Sequence, residues 1–327
     1  MSGQAGSSVT LRIDLKEMLV EIEHEELNLT YDTVAPEVQV SQESARYPVM
    51  PREAKMKVPD TRRNEDGSYP VGEWEWSDDS YYCLEYGFEE EIDNVDKLRW
   101  EDFVDQEEES SKLAHESLML GRESRLATEL FNASNFSGKT TGLTNEWDDA
   151  TNATPWQDIE TAAVNITKNC GLGKEWMTLI LSKQLVEYAV RTADIQDNVK
   201  YTESILTKTA DVKAKFLADY LGIKECKLVR SLYDTSGLAA SASIGKFWSN
   251  EYALLGVLSK GNTLRSRGLV KAPVWKRYSS DYQVHSYNID THNKSRIRVS
   301  ESRGLILDNN FGWLLSNMKT TVDSGGF

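Results

Sequence analysis

Histidine, cysteine and proline are scarce in this chain, with four, three and seven copies among 327 residues. His24, His115, His285 and His292 share no helix-face spacing with a second ligand or a base, so neither a metal pair nor a His-driven catalytic set is announced. Cys83, Cys170 and Cys226 lie far apart and form no Cys-x-x-Cys pair. That excludes a zinc module and a disulfide framework and fits a reducing compartment. Long apolar runs are missing too: the longest, such as 254–258, fall well short of a bilayer span. No signal-peptide pattern opens the chain, because residues 1–8 are Gly/Ser-rich and 11–29 are interrupted by acids. The expectation is synthesis in the cytoplasm. Positive charge is in deficit, 37 Lys and Arg against 52 Asp and Glu, for a formal net charge of −15. Such a chain is not a general nucleic-acid binder, and its copies repel one another unless their contacts outweigh the repulsion.

What is present is ordinary globular composition, 39% hydrophobic and 27% charged, in a length that allows one large or two modest domains. Residues 1–46 read as an extended arm, with Leu11, Ile13 and Leu15 alternating as in a short strand and an acidic helix expected over 17–28. Residues 47–91 change character. Pro48, Pro51, Pro59 and Pro70 punctuate them, and Asn64-Glu65-Asp66-Gly67-Ser68 is a turn signal. Beyond it Trp74, Trp76, Tyr82, Leu84 and Tyr86 fall at even positions, as on one face of a strand. The segment predicts a long two-stranded excursion with a polar tip. An isolated hairpin is marginal in water, so it must rest on its own body or on a neighbour.

Residues 93–133 are nearly free of Gly and Pro and predict one long helix, broken near Ser110, with apolar positions that include Leu98, Leu113, Leu120 and Leu126. A polar loop over 139–157 precedes a helix from Asp158 to Asn169, stopped at Gly171. Trp176–Leu181 reads as a buried strand, and Ser182 caps a further helix. Another helix over 211–221 stops at Gly222, a strand covers 226–233, and 269–317 is strand-rich. Helices and strands mix without a βαβ repeat, an α+β pattern.

Chemistry-bearing motifs do not converge. Ser137-Gly138-Lys139-Thr140 matches the end of a phosphate-binding loop. Ala133 stands where the first glycine belongs, however, and a helix precedes the run instead of a strand. The acidic runs at 78–79, 89–91, 107–109 and 148–149 lack the spacing of a calcium loop and read as solvated faces. Asp148-Asp149 is expected to order the loop before the next helix. Late in the chain Lys260, Arg265, Arg267, Lys271, Lys276, Arg277, Lys294, Arg296, Arg298 and Arg303 face few nearby acids. Pairing with the acidic N-terminal half, preferentially across subunits, is the favoured reading over a surface that faces nucleic acid.

One block narrows the class. Residues 123–132, Glu-Ser-Arg-Leu-Ala-Thr-Glu-Leu-Phe-Asn, lead through Phe136 to Trp147-Asp148-Asp149, then Pro155, Asp158-Ile159 and Ala162-Ala163. This resembles the end of the spine helix and the start of the next helix in a large group of tailed-bacteriophage major capsid proteins. In the same order follow Cys170-Gly171-Leu172-Gly173, Trp176–Leu181, a helix closing on Lys200-Tyr201, and 216–223. Upstream, 82–86 before Ile92-Asp93 resembles the return strand of that group's extended loop. The turn at Gly173-Lys174-Glu175 lacks the group's usual Pro-Asn.

The resemblance implies the HK97-like capsid fold. Its parts would be an arm (1–46), an extended loop (47–91), a peripheral domain with the spine helix (92–158 and 260–327) and an axial domain (159–259). It implies a structural protein, not an enzyme, without cofactor or metal. Such a protein self-assembles into pentamers and hexamers of an icosahedral head around double-stranded DNA. Scaffolding, portal and decoration proteins are the expected partners, with no membrane, and the virion is the expected location. Trp74, Trp76, Tyr82, Tyr86, Asp66, Gly67, Arg277 and Arg296 are the candidate subunit contacts, with packing inside the chain's own fold as the alternative for the aromatic row. An encapsulin-like shell holding enzyme cargo is the alternative function, and a free α+β enzyme a distant third.

Overall fold

The computed structural model describes residues 10–12, 15, 29–49, 58, 61–63, 65, 67–69, 76–100, 105–199, 205–234, 236, 241, 243–276, 282–289 and 293–320. The expected acidic helix over 17–28 and the Lys200-Tyr201 closure lie outside them.

Among the described residues the helices are α1 (Tyr31–Val34), α2 (Asn94–Trp100), α3 (Gln106–Leu130), α4 (Pro155–Cys170), α5 (Lys183–Arg191), α6 (Ala193–Val199) and α7 (Ala210–Leu221). The strands are β1 (Thr10–Leu11), β2 (Glu37–Val40), β3 (Ser44–Val49), β4 (Ser77–Tyr82), β5 (Leu84–Asp93), β6 (Thr140–Gly142), β7 (Thr178–Ser182) and β8 (Glu225–Val229). They continue with β9 (Leu232–Asp234), β10 (Ile244–Lys246), β11 (Tyr252–Gly256), β12 (Val270–Trp275), β13 (Tyr282–Ile289), β14 (Lys294–Arg303), β15 (Ile306–Leu307) and β16 (Gly312–Ser316).

A seven-stranded sheet runs β1-β13-β14-β12-β15, with β2 added parallel to β12 and β5 antiparallel to β14. A five-stranded sheet runs β6-β16-β11-β7-β8. The expected axial segment, 159–259, supplies β7, β8 and β11 to this second sheet, whereas β6 and β16 come from outside it. The boundary read from sequence therefore runs through one sheet. Strand alternation gives the five-stranded sheet two buried faces. Leu179, Leu181, Leu255 and Leu315 point to α4, α5 and α7, meeting Ile159, Ile166, Leu185, Ala189 and Leu217. Ile180, Leu254 and Leu314 point the other way, to Leu126 and Leu130 of α3 and to Val270 and Ala272 of β12.

The spine helix α3 is 25 residues long, roughly 37 Å at 1.5 Å per residue. Its N-cap is Asp105, whose carboxylate accepts from the Glu107 and Glu108 amides at 3.0 and 3.3 Å. The helix therefore starts after Asp105 and runs through Ser110 without the expected break. Ser111 sits inside the helix, its hydroxyl donating to the Glu107 carbonyl at 2.7 Å. Buried positions recur as 111, 114–115, 118–119, 122–123, 126–127 and 130, one continuous face. Leu113, counted as apolar in the sequence pattern, points outward. The first half of the face covers the large sheet through Ala114 and Leu118 against Ile92, Val284, Ile297 and Val299. The second half covers the small sheet.

Between the halves the buried stripe carries Arg122 and Glu123. Glu123 is fully buried and accepts from five donors. These are the Thr30 amide (3.0 Å), the Thr30 hydroxyl, the Tyr31 amide (2.8 Å), the Ser231 hydroxyl (3.0 Å) and the Trp248 indole (2.7 Å). Arg122 pairs with buried Glu301, which also holds Arg303 at 3.1 Å and Arg125 at 3.4 Å, and Arg303 reaches Glu37. Three carboxylates and three guanidiniums thus tie the arm, the spine helix and both sheets together.

Gly171 and Gly222 end α4 and α7 at φ 73° and 67°, the left-handed cap that favours glycine. Helix α4 begins at Pro155, three residues before the expected Asp158, because proline suits the first helical position. Trp176 belongs to a short 3₁₀ turn before β7 and is exposed. No helix among the described residues is long and apolar enough to cross a membrane.

Glu123→Ala strands several buried donors at once and is expected to destabilise the subunit by at least about 3 kcal/mol. Glu109→Ala, at an exposed position of the same helix, should stay within about 0.5 kcal/mol. Urea unfolding of the two variants decides; similar midpoints would remove the hub from its structural role.

Candidate assembly surface

The hairpin predicted over 47–91 is present at its root. Strands β3 and β4 pair antiparallel from Ser44–Tyr82 to Val49–Ser77. The root is fixed by a small core of Tyr47, Tyr81 and Cys83 packed on Leu264, Trp275 and Ile306. The Tyr47 hydroxyl donates to Asp79 at 2.7 Å, and burial with that carboxylate beside it drives the phenol pKa well up. The Cys83 amide donates to the Glu43 carbonyl at 2.8 Å, and burial pushes its thiol up to about 11. An inert, buried thiol suits a packing role. Farther out, Gly67 adopts φ 85° and its carbonyl accepts from Arg63 Nε at 2.8 Å, a turn where the sequence places the tip.

The aromatic row divides. Trp76 and Tyr82 are each 56% exposed, with Leu84 beside them also open to solvent. Tyr86 instead packs inside the chain, its ring 3.6 Å from the Arg125 guanidinium and against the core under α3. The Arg265 guanidinium lies 5.8 Å from the Trp76 ring. Trp74, Asp66 and Arg277 lie outside the described residues. A second exposed apolar group sits at the start of the spine: Val95 (54%), Leu98 (73%) and Leu113.

Of the late basic run, Lys294, Arg296, Arg298 and Arg303 pair within the chain, where pairing across subunits had been favoured. Register sets Arg298 opposite Glu89 and Arg296 opposite Glu91 on β14 and β5. Arg296 Nη2 meets Glu91 at 2.8 Å, Arg298 meets Glu89 at 2.5 Å, and Lys294 also reaches Glu91. Tyr287 donates to Glu89 at 2.8 Å. Burial alone would raise the Glu89 pKa, but Tyr287 and Arg298 outweigh it and hold the carboxyl low. Lys294 and Arg296 hold Glu91 low as well.

The motif behind the resemblance is one contact unit. Buried Trp147 donates its indole N–H to Asp158 at 3.0 Å. Asp149 accepts from the amides of Thr151 and Asn152 at 3.0 and 3.2 Å, and Asp148 accepts from Thr320, so the pair orders the loop as expected. Burial raises the Asp158 carboxyl, and the indole offsets part of the shift. Lys139 of the loop-like Ser-Gly-Lys-Thr run is held by Asn309 and Asn310 at 2.6 and 2.7 Å. Among the described residues no group of three or more His, Cys, Asp or Glu is placed to hold a metal. Sequence reasoning missed the Glu123 hub, because its donors at 30–31, 231 and 248 carry no local pattern that links them to position 123.

No protein-family model matches the chain, and no curated protein does. Solved structures match along nearly its whole length. A phage-related protein from Bordetella bronchiseptica aligns with TM-score 0.71 at 16% identity, covering 96% of this chain and 99% of that one. The capsid of cyanophage P-SCSP1u aligns at 0.55 and 13% identity, covering 86% of each chain. The holo-SrpI encapsulin complex from Synechococcus elongatus aligns at 0.54 and 11%, covering 95% and 97%. The chain has the HK97-like capsid fold.

Because Glu89 and Glu91 titrate below the ordinary carboxylate range when folded, their pairing is complete at neutral pH. It is lost as the pH falls through those depressed values. Subunit stability should therefore decline on acidification. The decline should be shallower in Glu89→Gln, measured as urea midpoints between neutral and acid pH; identical slopes would remove the ladder from the acid response.

Proposed function

We propose that this chain is the major capsid protein of a tailed bacteriophage, a structural subunit that closes into an icosahedral head around double-stranded DNA. The observation that carries the reading is the rooted hairpin. A body with this fold pairs β3 with β4 antiparallel at the hairpin root and leaves Trp76 and Tyr82 exposed beside it. An exposed hairpin of this kind is an aggregation hazard unless a defined partner receives it. In a shell the partner is the next copy, and head-to-tail contacts that close by rotation give pentamers and hexamers. Each contact can be modest, since every subunit is held by many at once. The arm, extended loop, peripheral and axial parts keep the sequence boundaries in this reading, with the five-stranded sheet shared by the last two. Scaffolding and portal proteins, and a decoration protein on the outer surface, complete the assembly.

An encapsulin-like shell is the second reading, favoured by the whole-length likeness to the Synechococcus encapsulin complex at nearly the same TM-score as the cyanophage capsid. Electron microscopy of purified protein tests both, since closed shells are expected and monomers at high concentration would end both. Nuclease-protected DNA in particles from infected or induced cells supports the first reading, and co-purifying enzyme supports the second.

The double variant Trp76→Ala/Tyr82→Ala is expected to lower shell yield to about a tenth or less, because aromatic contacts dominate interface energies. The thermal midpoint of its free subunit should stay within about 3 °C of the parent, both side chains being exposed. Unchanged shell yield would place the contact surface elsewhere.

A further inference from the structure

The late basic run divides in two. Lys294, Arg296, Arg298 and Arg303 find carboxylates in their own chain. Lys260, Arg265 and Arg267, on the loop that joins β11 to β12, are exposed, and among the described residues none of the three forms an ion pair. Residues 252–280 contain no Asp or Glu, in a chain of net charge −15. The loop is built to hold these cations in place. The Leu269 amide donates to the Val257 carbonyl at 2.8 Å, and a Cβ on Gly268 would stand 2.4 Å from the Ser259 nitrogen, so the neck is closed. Ser259 and Ser266 bridge it through their hydroxyls at 2.9 Å, and the Ser266 amide donates to the Thr263 carbonyl at 3.0 Å. Buried Lys271 donates to the Leu264 carbonyl at 2.7 Å.

Two of these cations meet rings. Lys260 Nζ lies 4.9 Å from the centroid of the Trp176 ring, and the Arg265 guanidinium faces Trp76. Both indoles come from other parts of the chain and stay about half exposed, 46% and 56%, so ring surface remains open beside each cation. Trp76, Arg265 and Arg267 also line a cavity of about 490 Å³ together with Lys271. Two carboxylates, Asp79 and Asp308, share that lining, and the field of both acts on Lys271. Asp79 accepts from the Tyr47 hydroxyl, and Asp308 accepts from the Asn310 amide at 3.1 Å. With both acids counted, Lys271 and the cations of the loop still outnumber them.

We propose that this loop, with Trp76 and Trp176 on its flanks, is a docking surface for a single-stranded nucleic acid. Exposed cations attract backbone phosphates, and exposed indoles offer flat faces on which unpaired bases stack. Cation and ring alternate here, as phosphate and base do along a strand. An acidic protein segment would match the charge but leave the two indole faces unused, and a duplex keeps its base faces inside its own stack. The net acidity of the chain confines binding to this patch and makes it weak and sensitive to salt. The inference stands on the loop alone and does not require that the chain form a shell.

Fluorescence anisotropy of a labelled oligo-dT of about 20 nucleotides with the purified full-length chain tests it. Saturable binding is expected, weakening about twentyfold between about 50 and 200 mM salt, the slope for three phosphate contacts on a single strand. Arg265→Ala/Arg267→Ala should bind at least about tenfold more weakly at the lower salt, with the slope cut to about a third. Arg265→Lys/Arg267→Lys should retain binding, which separates lost charge from lost folding. Trp176→Ala should weaken binding at least about fivefold. Lys112→Ala, at a surface lysine paired with Glu108 at 2.7 Å, should change nothing. Absence of saturable binding up to about 1 mM chain, or equal affinity in the double alanine variant and the parent, overturns the proposal. So does a duplex of the same length bound as tightly as the oligo-dT, or an oligoglutamate bound more tightly.

Discussion

A carboxylate buried in the middle of a helix is costly unless every lone pair finds a donor, and much of this fold is arranged around that requirement. Glu123 and Arg122 interrupt the buried stripe of α3 where the helix passes from one sheet to the other. Glu123 is satisfied only if residues 30–31, 231 and 248 arrive together, and Arg122 only if Glu301 of β14 does. An apolar pair at those positions would tolerate a helix that slid or rotated by part of a turn. The charged pair does not, because a displaced helix would leave ions without partners in a dry interior. The hub therefore fixes register more than it adds stability.

That constraint reaches the assembly surface through a short chain of contacts. Arg303, held by Glu301, also binds Glu37 of β2, and β2 leads within a few residues into β3 at the hairpin root. Gly304 follows Arg303, and a Cβ there would meet the Tyr82 carbonyl at 2.4 Å, so backbone at the end of β14 and backbone at the end of β4 are in close approach. The hairpin root is thus joined by short connections to the same ion network that locks the spine helix.

Local signals were legible in the sequence wherever one residue type decides the backbone. Gly171 and Gly222 end helices, Ser182 starts one, and the strand-rich character of 269–317 shows in its composition. The order of weak motifs from 123 to 163 carried the fold, and the structure gives the reason: Trp147 and Asp158 are hydrogen-bonded partners, so their spacing is a contact and not a coincidence. What stayed hidden depends on distant partners. The sequence pattern suggests a helix break near Ser110, but it is the Asp105 carboxylate that meets the first amides of the helix. Tyr86 and Tyr82 look equivalent in an alternating row, yet the strand is interrupted at Cys83, and only Tyr86 falls under the spine helix.

The basic run at 294–303 shows how charge is apportioned between stability and assembly. From sequence it looked available to a neighbour, because basic residues outnumber acids in that part of the chain and the acidic runs that face it lie some two hundred residues upstream. Antiparallel pairing of β5 with β14 closes that distance and satisfies the cations in place. Near the hairpin root and the spine start Trp76, Tyr82, Leu84, Val95, Leu98 and Leu113 face solvent, among exposed polar residues such as Ser77, Asp78, Asp79 and Ser80. Copies that each carry −15 repel at long range whatever their local ion pairs, and salt screens that repulsion while leaving apolar contact area almost untouched. Contacts between copies that rest on burial of exposed apolar side chains therefore survive the conditions that weaken surface ion pairs, and the ion pairs are kept where they fix the shape of one subunit.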